Sequence, residues 1–267
     1  MRVSVLGCGW LGFALAEQLV SEEHLVHGST TTKDKIPLLE PAGITPFWLT
    51  LNPEITGDDI GSFLNTDVLI LNIPPGRRRD DVRKFHVAQI HNLIGHIEQS
   101  TIKFVIFVSS TSVYPKTSKV VTEEDAGLPE RRSGLALLEA ERLLLNNDNF
   151  DTTVLRFGGL IGPERPLGRF LAGKKNLPNG LAPVNMIHRQ DCIDIIKILL
   201  KKDIRGEIFN ACCDQHPLRK DLYPKAAASL GLEAPHFLEN DQSTNKTVSS
   251  EKLKTTLGYH FKHGLLE

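Results

Sequence analysis

Tyrosine is scarce in this chain, with three in 267 residues and aromatics at only 6%. Chemistry that needs a phenol therefore has three candidates: Tyr114, Tyr223 and Tyr259. An excess of either charge is also missing. Lys and Arg total 31 against 32 Asp and Glu, a formal charge of −1, which leaves no electrostatic footprint for nucleic acid or an anionic membrane. The four cysteines form no Cys-x-x-Cys pair, and the adjacent Cys212-Cys213 lacks zinc-knuckle spacing. They read as reduced, buried thiols. The histidines are scattered and no His-Glu-x-x-His occurs, so no metal is expected. Apolar runs such as Phe104 to Val108 fall far short of the ~20 residues that span a bilayer. Val5-Leu6-Gly7-Cys8 imitates a lipoprotein cleavage box without an apolar stretch before it. These absences predict a cytoplasmic protein with neither nucleic acid nor membrane as partner.

What is present is ordinary globular composition, 40% apolar and 24% charged, arranged as alternating strands and helices. Val3 to Leu6 is a near-continuous apolar run, as a strand buried on both faces requires. Leu11, Leu15, Leu19 and Val20 then recur at helical spacing. Further strands are expected at Leu25 to His27, Ile44 to Leu49, Val68 to Ile73, Phe104 to Val108 and Thr153 to Phe157. Helices are expected around Lys35 to Glu40, Asp80 to Gln99 and Leu137 to Leu145. Such alternation predicts an α/β fold, a Rossmann-type doubly wound parallel sheet. After Phe157 the texture becomes rich in Gly, Pro and basic residues, before helices return near Gln190 to Lys201 and Lys220 to Leu230. The expected division is 1–157 as the dinucleotide-binding domain and 158–267 as a small substrate-side region with segments returning to the sheet. Arg77-Arg78-Arg79 reads as a solvent-facing turn and Asn240 to Lys246 as a polar surface loop.

Gly7-Cys8-Gly9-Trp10-Leu11-Gly12 is a Gly-x-Gly-x-x-Gly sequence that closes the first strand and opens the first helix. Gly7 permits the tight turn, Gly9 lets backbone approach a pyrophosphate, and Gly12 lets helix and strand pack closely. Cys8 offers only its backbone. An acid near the end of the second strand would favour NAD. The chain instead reads Ser29-Thr30-Thr31-Thr32-Lys33; these hydroxyls and a lysine favour a 2′-phosphate, hence NADP. Asp34, a little further on, keeps NAD open. The alternative for Ser29 to Thr32 is that they cap the next helix.

Phe107-Val108-Ser109-Ser110-Thr111-Ser112-Val113-Tyr114-Pro115 resembles the Ser-Ser-x-x-Val-Tyr-Gly stretch of extended short-chain dehydrogenases/reductases, in their epimerase/dehydratase branch. Leu155-Arg156-Phe157-Gly158-Gly159-Leu160-Ile161-Gly162-Pro163 is similar to that branch's Leu-Arg-x-x-x-x-Tyr-Gly-Pro, with Ile161 in place of tyrosine. Ile187-His188-Arg189-Gln190-Asp191, the late strand Gly206 to Asn210 and the closing Leu257-Gly258-Tyr259 follow in the family's order. The Gly-Trp-Leu-Gly and Ser-Thr-Ser-Val-Tyr wording is most similar to the atypical YeeZ-like group. The resemblance spans nearly the whole chain.

It implies hydride transfer by a Ser or Thr with a Tyr-x-x-x-Lys pair, in which the tyrosine is the acid/base and the lysine lowers its pKa. Ser110 is the hydroxyl counterpart, with Thr111 its nearest substitute on the substrate side. Ser109, Ile73, Pro74 and Pro75 would line the cofactor. Aligning Glu141 with the family places Ser133 at the tyrosine position and Leu137 at the lysine position. Four residues after the three tyrosines stand Ser118, Ala227 and His263, so no Tyr-x-x-x-Lys exists anywhere. The standard acid/base pair is absent.

By resemblance Tyr114 lies near the nicotinamide side, which makes it a candidate proton donor beside its ordinary packing role. His188 is a candidate substrate contact; a hydrogen-bonded structural histidine is the plainer reading. Arg165 and Arg169, with Lys174 and Lys175, either clamp an anionic substrate or form a solvated basic loop. Gly168 to Lys175 imitates a nucleotide-binding Gly-x-x-x-x-Gly-Lys loop but lacks its Ser/Thr and its preceding strand. Arg156 reads equally as a structural ion pair or a substrate contact. Two functions remain open: an NADP-dependent oxidoreductase acting on a small polar, sugar-like substrate, or a dinucleotide-binding sensor or interaction protein without turnover. A homodimer through the helices near Asp80 to Gln99 and Leu135 to Leu145 is implied by the resemblance.

Overall fold

Runs of β-branched and aromatic residues, punctuated by Gly and Pro, become the strands of the computed structural model, which describes residues 1–76, 79–239, 241 and 245–266. Arg77 and Arg78 of the expected basic turn, and Asn240 and Gln242 to Thr244 of the expected polar loop, lie outside the described residues. In chain order the elements are β1 (Arg2–Leu6), α1 (Trp10–Ser21), β2 (Leu25–Thr30), α2 (Ile36–Leu39), β3 (Thr45–Leu51), β4 (Ile55–Gly57), α3 (Ile60–Phe63), β5 (Val68–Leu71) and α4 (Val82–Glu98). There follow β6 (Phe104–Ser110), β7 (Val120–Val121), α5 (Arg132–Leu145), β8 (Asp151–Phe157), β9 (Gly159–Ile161) and β10 (Met186–His188). The last are α6 (Arg189–Lys202), β11 (Ile208–Ala211), α7 (Arg219–Ala228), β12 (Thr247–Val248) and α8 (Glu251–Leu257).

Eight strands form the main sheet in the order β11-β8-β6-β5-β1-β2-β3-β4. From β6 through β3 the pairing is parallel, and β4 adds an antiparallel edge. With the edge strand β4 set aside, the order runs β3-β2-β1-β5-β6-β8-β11: the 3-2-1-4-5-6 order of the dinucleotide-binding fold with β11 added as a seventh strand, reversing between β1 and β5. The expected α/β class holds, with differences in detail. β2 continues to Thr30, and β6 continues to Ser110. β5 stops at Leu71, so Ile73 lies in the loop beyond it.

The chain divides into two compact units. One holds Met1–Val113, Leu128–Leu155 and Ile196–Ile208; the other holds Tyr114–Gly127, Arg156–Ile195 and the chain from Phe209 onward. The units interleave along the chain, and the assignment of 114–127 to the second unit has no cue in composition. The first unit's core is built on β1, β5 and β6, whose Val3, Val5, Ile70, Val105 and Ile106 are fully buried. α4 and α5 pack on each other. The second unit has its own cluster around Ile161, Leu167, Val184, Leu222 and Leu265.

α4 turns Val82, Ile90, Leu93 and Ile97 into the core. Phe85 and Ile94 are only half-buried, whereas His86 is fully buried with Nδ1 on Gln89 Oε1 at 3.2 Å. Its Nε2 has no hydrogen-bond partner, a deficit that costs about 1–3 kcal/mol. Burial pushes the His86 pKa below the ordinary imidazole value. The unfolded chain then takes up a proton before the native one does, so stability falls as pH drops below about 6.5. His86→Leu is expected to flatten that acid-side decline while raising stability at neutral pH. Urea unfolding at pH 7.5 and 5.5 reads both effects; an unchanged acid-side slope would show that His86 does not set it.

Candidate functional site

The glycine loop of the first unit assigns a different task to each glycine. Gly7 has φ +105°, and a Cβ there would lie 2.5 Å from the Asn72 carbonyl oxygen. A Cβ on Gly12 would lie 2.2 Å from the Gly7 carbonyl oxygen. A Cβ on Gly9 would meet nothing within 4 Å. Two glycines are therefore demanded by the protein's own packing, and the third leaves open space in front of it. Gly9 is also the residue before α1, whose opening no side chain caps. A helix start of this kind presents amide donors and the positive end of the dipole, as an anionic diphosphate requires. Trp10 begins α1 half-buried, and Leu11 is buried behind the loop.

Two residues brace the loop from below. The Gly7 N–H donates to Ser29 Oγ at 2.9 Å, and Asn72 Nδ2 donates to the Gly7 carbonyl at 3.0 Å. Ser29 is almost fully buried, which places its hydroxyl beneath the loop rather than at its mouth. Asn72 was missed by motif reading; its only signal is its place directly after the strand that ends at Leu71. Past it, Ile73 is half-buried, Pro74 exposed and Pro75 buried. Cys8 points inward, with Sγ on the Val5 carbonyl at 3.7 Å, and burial pushes its thiol up to about 12. It is inert as a nucleophile at neutral pH.

At the end of β2, Thr30 is buried and accepts the Thr32 N–H on Oγ1 at 3.2 Å. Thr31, Thr32, Lys33 and Asp34 are exposed. No side chain caps the short helical turn that starts at Lys33, so the capping alternative for this segment has no support. Trp48 of β3 donates its indole N–H to the Thr31 carbonyl at 3.3 Å, and the Lys33 ammonium lies 4.0 Å from the centre of its ring.

At the end of β6, Ser109 is buried and donates to Glu141 Oε1 at 2.5 Å. Ser110 is half-buried and its Oγ accepts the Ser112 N–H at 3.2 Å. That bond fixes the oxygen and leaves its proton for an outside acceptor. Thr111 beside it is half-buried. α5 carries Ser133 and Leu137, both buried, at the positions where the family resemblance puts tyrosine and lysine. A Cβ on Gly134 would lie 2.2 Å from the Ser112 carbonyl oxygen, so the start of α5 packs directly on the backbone after Ser110.

In the second unit Tyr114 is 2% exposed. Its hydroxyl donates to Asn210 Oδ1 at 2.6 Å and accepts from Arg156 Nη1 at 2.9 Å. Arg156 also donates to the Glu123 carbonyl at 2.8 Å, and the Asn210 N–H donates to Glu123 Oε1 at 2.7 Å. Burial pushes the Tyr114 phenol up to about 12 despite the opposing pull of Arg156. A phenol so buried and engaged on both sides is a poor proton donor, which counts against the expected catalytic part for Tyr114. Arg156 likewise sits in a structural network.

His188 accepts the Gln190 N–H on Nδ1 at 3.2 Å, and its ring stacks on His263 with centroids 4.3 Å apart. In the neutral ring the proton is therefore on Nε2. Arg165 and Arg169 are exposed. Gly168 serves packing, because a Cβ there would lie 2.0 Å from the Ala226 carbonyl oxygen, and Lys175 pairs with Glu233 at 2.5 Å. The nucleotide-loop imitation is thus accounted for by α7 and an ion pair. All four cysteines are buried and unpaired. Among the described residues no group of three or more His, Cys, Asp or Glu is placed to hold a metal ion, and no helix is long and apolar enough to cross a membrane.

No protein-family model matches the chain. Among solved structures it is similar to a UDP-glucuronic acid 4-epimerase from Bacillus cereus in complex with UDP-glucuronic acid and NAD, at TM-score 0.81 and 20% identity, covering 100% of this chain and 96% of that one. A short-chain dehydrogenase/reductase superfamily protein from Agrobacterium tumefaciens with bound NAD aligns at TM-score 0.79 and 18% identity, over 99% and 94% of the two chains. At these identities the likeness establishes the fold. Protein YeeZ of Escherichia coli K12 is 34% identical over 265 residues, 98% of this chain and 96% of its relative. With that identity over almost the full length of both, the chain belongs to the YeeZ family and has the fold of the extended short-chain dehydrogenases/reductases.

Proposed function

We propose that the protein binds NADP, with NAD as the weaker alternative, and acts as an oxidoreductase of the epimerase/dehydratase branch on a small polar, sugar-like carbonyl. The observation that carries the dinucleotide is the open space at Gly9 before the uncapped start of α1. The residues present fit the group: Gly7, Gly9, Trp10, Leu11 and Gly12 would hold its diphosphate. Thr30 and Thr31 would hold its adenosine end, braced by Ser29, and Lys33 its 2′-phosphate, while Ile73, Pro74, Pro75 and Ser109 would line it. When bound there, a nicotinamide nucleotide supplies or accepts a hydride. Ser110 donates a hydrogen bond to the substrate carbonyl oxygen, and the proton that ends on that oxygen comes from water. Thr111 stands beside Ser110 as a second hydroxyl for the substrate, and Arg165, Arg169 and His188 are the second unit's candidates for ligand contact. The epimerase relative is crystallised with a UDP-sugar and NAD, which supports a sugar-like substrate. In this reading the protein is cytoplasmic and dimerises through α4 and α5, with neither nucleic acid nor membrane as partner.

A second reading, a dinucleotide-binding sensor or interaction protein without turnover, is favoured by the buried Ser133 and Leu137 where the acid/base pair would stand. A panel of small carbonyl and hydroxyl substrates followed at the nicotinamide absorbance separates the two. Turnover that falls about 100-fold in Ser110→Ala is expected for the oxidoreductase. Turnover unaltered by that change would remove Ser110 from the mechanism, and saturable binding with no turnover across the panel would favour the sensor.

A further inference from the structure

The contact between β3 and the segment after β2 has a use that the glycine loop does not explain. β2 and β3 pair in parallel with Thr30 opposite Trp48. The indole N–H ties the ring to the Thr31 carbonyl at 3.3 Å, and Trp48's own backbone N–H is held by Asp58 Oδ2 at 2.6 Å. The residue is thereby tied at its backbone and its ring at the indole N–H, and the Lys33 ammonium rests over the ring, 4.0 Å from its centre. Exposed lysines normally sample many rotamers and lose that freedom on gripping a ligand. An ammonium seated on an aromatic face is restrained beforehand, while its other side stays open to an anion.

We propose that Trp48 is a specificity-determining residue: by holding Lys33 it makes the protein prefer a dinucleotide carrying a 2′-phosphate. The proposal rests on the reading that a nicotinamide dinucleotide occupies the glycine loop. Thr31 and Thr32 are exposed on the same segment and offer hydroxyl donors to phosphate oxygens. A bare ribose diol needs an acceptor, and Asp34 is the one acid between Ser29 and Lys35. Trp48 acts through Lys33, so it is a positioning residue, and its effect must vanish when Lys33 is gone.

The test uses the full chain and equilibrium titration with NADP+ and NAD+, by calorimetry or by tryptophan fluorescence. The chain has two tryptophans, Trp10 at the loop and Trp48 beside Lys33, so both reporters lie in the first unit. The unaltered protein is expected to bind NADP+ more tightly. Lys33→Ala is expected to weaken NADP+ by about tenfold and leave NAD+ within about twofold. Trp48→Leu is expected to weaken NADP+ alone by about threefold to fivefold, and Trp48→Phe, which keeps an aromatic face, to retain most of the preference. Adding Trp48→Leu to Lys33→Ala should cost nothing further. A Trp48→Leu loss shared equally by both nucleotides overturns the proposal, as does a double variant that multiplies the two losses. A preference for NAD+ in the unaltered protein overturns it and leaves the loop assignment standing. Absence of saturable binding to either nucleotide overturns the loop assignment itself.

Discussion

Gly9→Val is expected to weaken dinucleotide binding by about a hundredfold or more while the melting temperature stays within a few degrees of the parent protein. The two halves of that result have separate causes. Gly9 has φ −85°, a conformation open to any residue, and a Cβ there meets no atom within 4 Å, so folding has little reason to notice the change. Loss of a glycine at the residue before a helix costs at most about 1 kcal/mol. The new side chain instead fills the space in front of the helix start, where the diphosphate must come within hydrogen-bonding distance of backbone. Gly12→Ala is the opposite control. Its Cβ would lie 2.2 Å from the Gly7 carbonyl oxygen, so that variant should lose stability first and binding as a consequence. Calorimetric titration beside a thermal melt separates them. If Gly9→Val binds normally, the diphosphate does not sit at this helix start.

Arg156→Met is expected to cost about 3–5 kcal/mol of the second unit's stability, a fall of roughly 10 °C in melting temperature. Methionine keeps much of the length and apolar bulk, so cavity formation contributes little. What is lost is the donor to the buried Tyr114 hydroxyl and to the half-buried Glu123 carbonyl. Leaving buried acceptors without donors costs more than the bonds gained in making them. Denaturant unfolding reads the effect. A variant that keeps its stability and loses only substrate affinity would instead make Arg156 a ligand contact, the other reading open from the sequence.

The parts of the site that could be read in advance are local. Gly7, Gly9 and Gly12 act within six residues of one another, and their tasks follow from turn and helix geometry alone. The parts that escaped are contacts across the chain. Asn72 reaches back 65 residues to Gly7, and Glu141 meets Ser109 across 32; nothing near either residue announces its partner. Trp48 carries no local signal, because its ring meets a segment 17 positions earlier. The longer strands were legible from continuous apolar runs. β4, β7 and β12, of two or three residues each, are too short to show a period and exist because a neighbouring strand supplies their pairing. His86 was unexpected for a related reason: a lone polar residue on an apolar helix face becomes a core residue only when another element covers it.

Each unit is compact, and neither is one continuous stretch of the sequence. Their boundaries fall after Val113, Gly127, Leu155, Ile195 and Ile208, so the backbone passes from one to the other five times. No single truncation can release either unit whole, and no one junction allows the second to be exchanged for a relative's. Chimeras would need several coordinated splices, each inside an ordered stretch. Inheritance is constrained in the same way. A single crossover in the coding sequence cannot pass on either unit as a cassette.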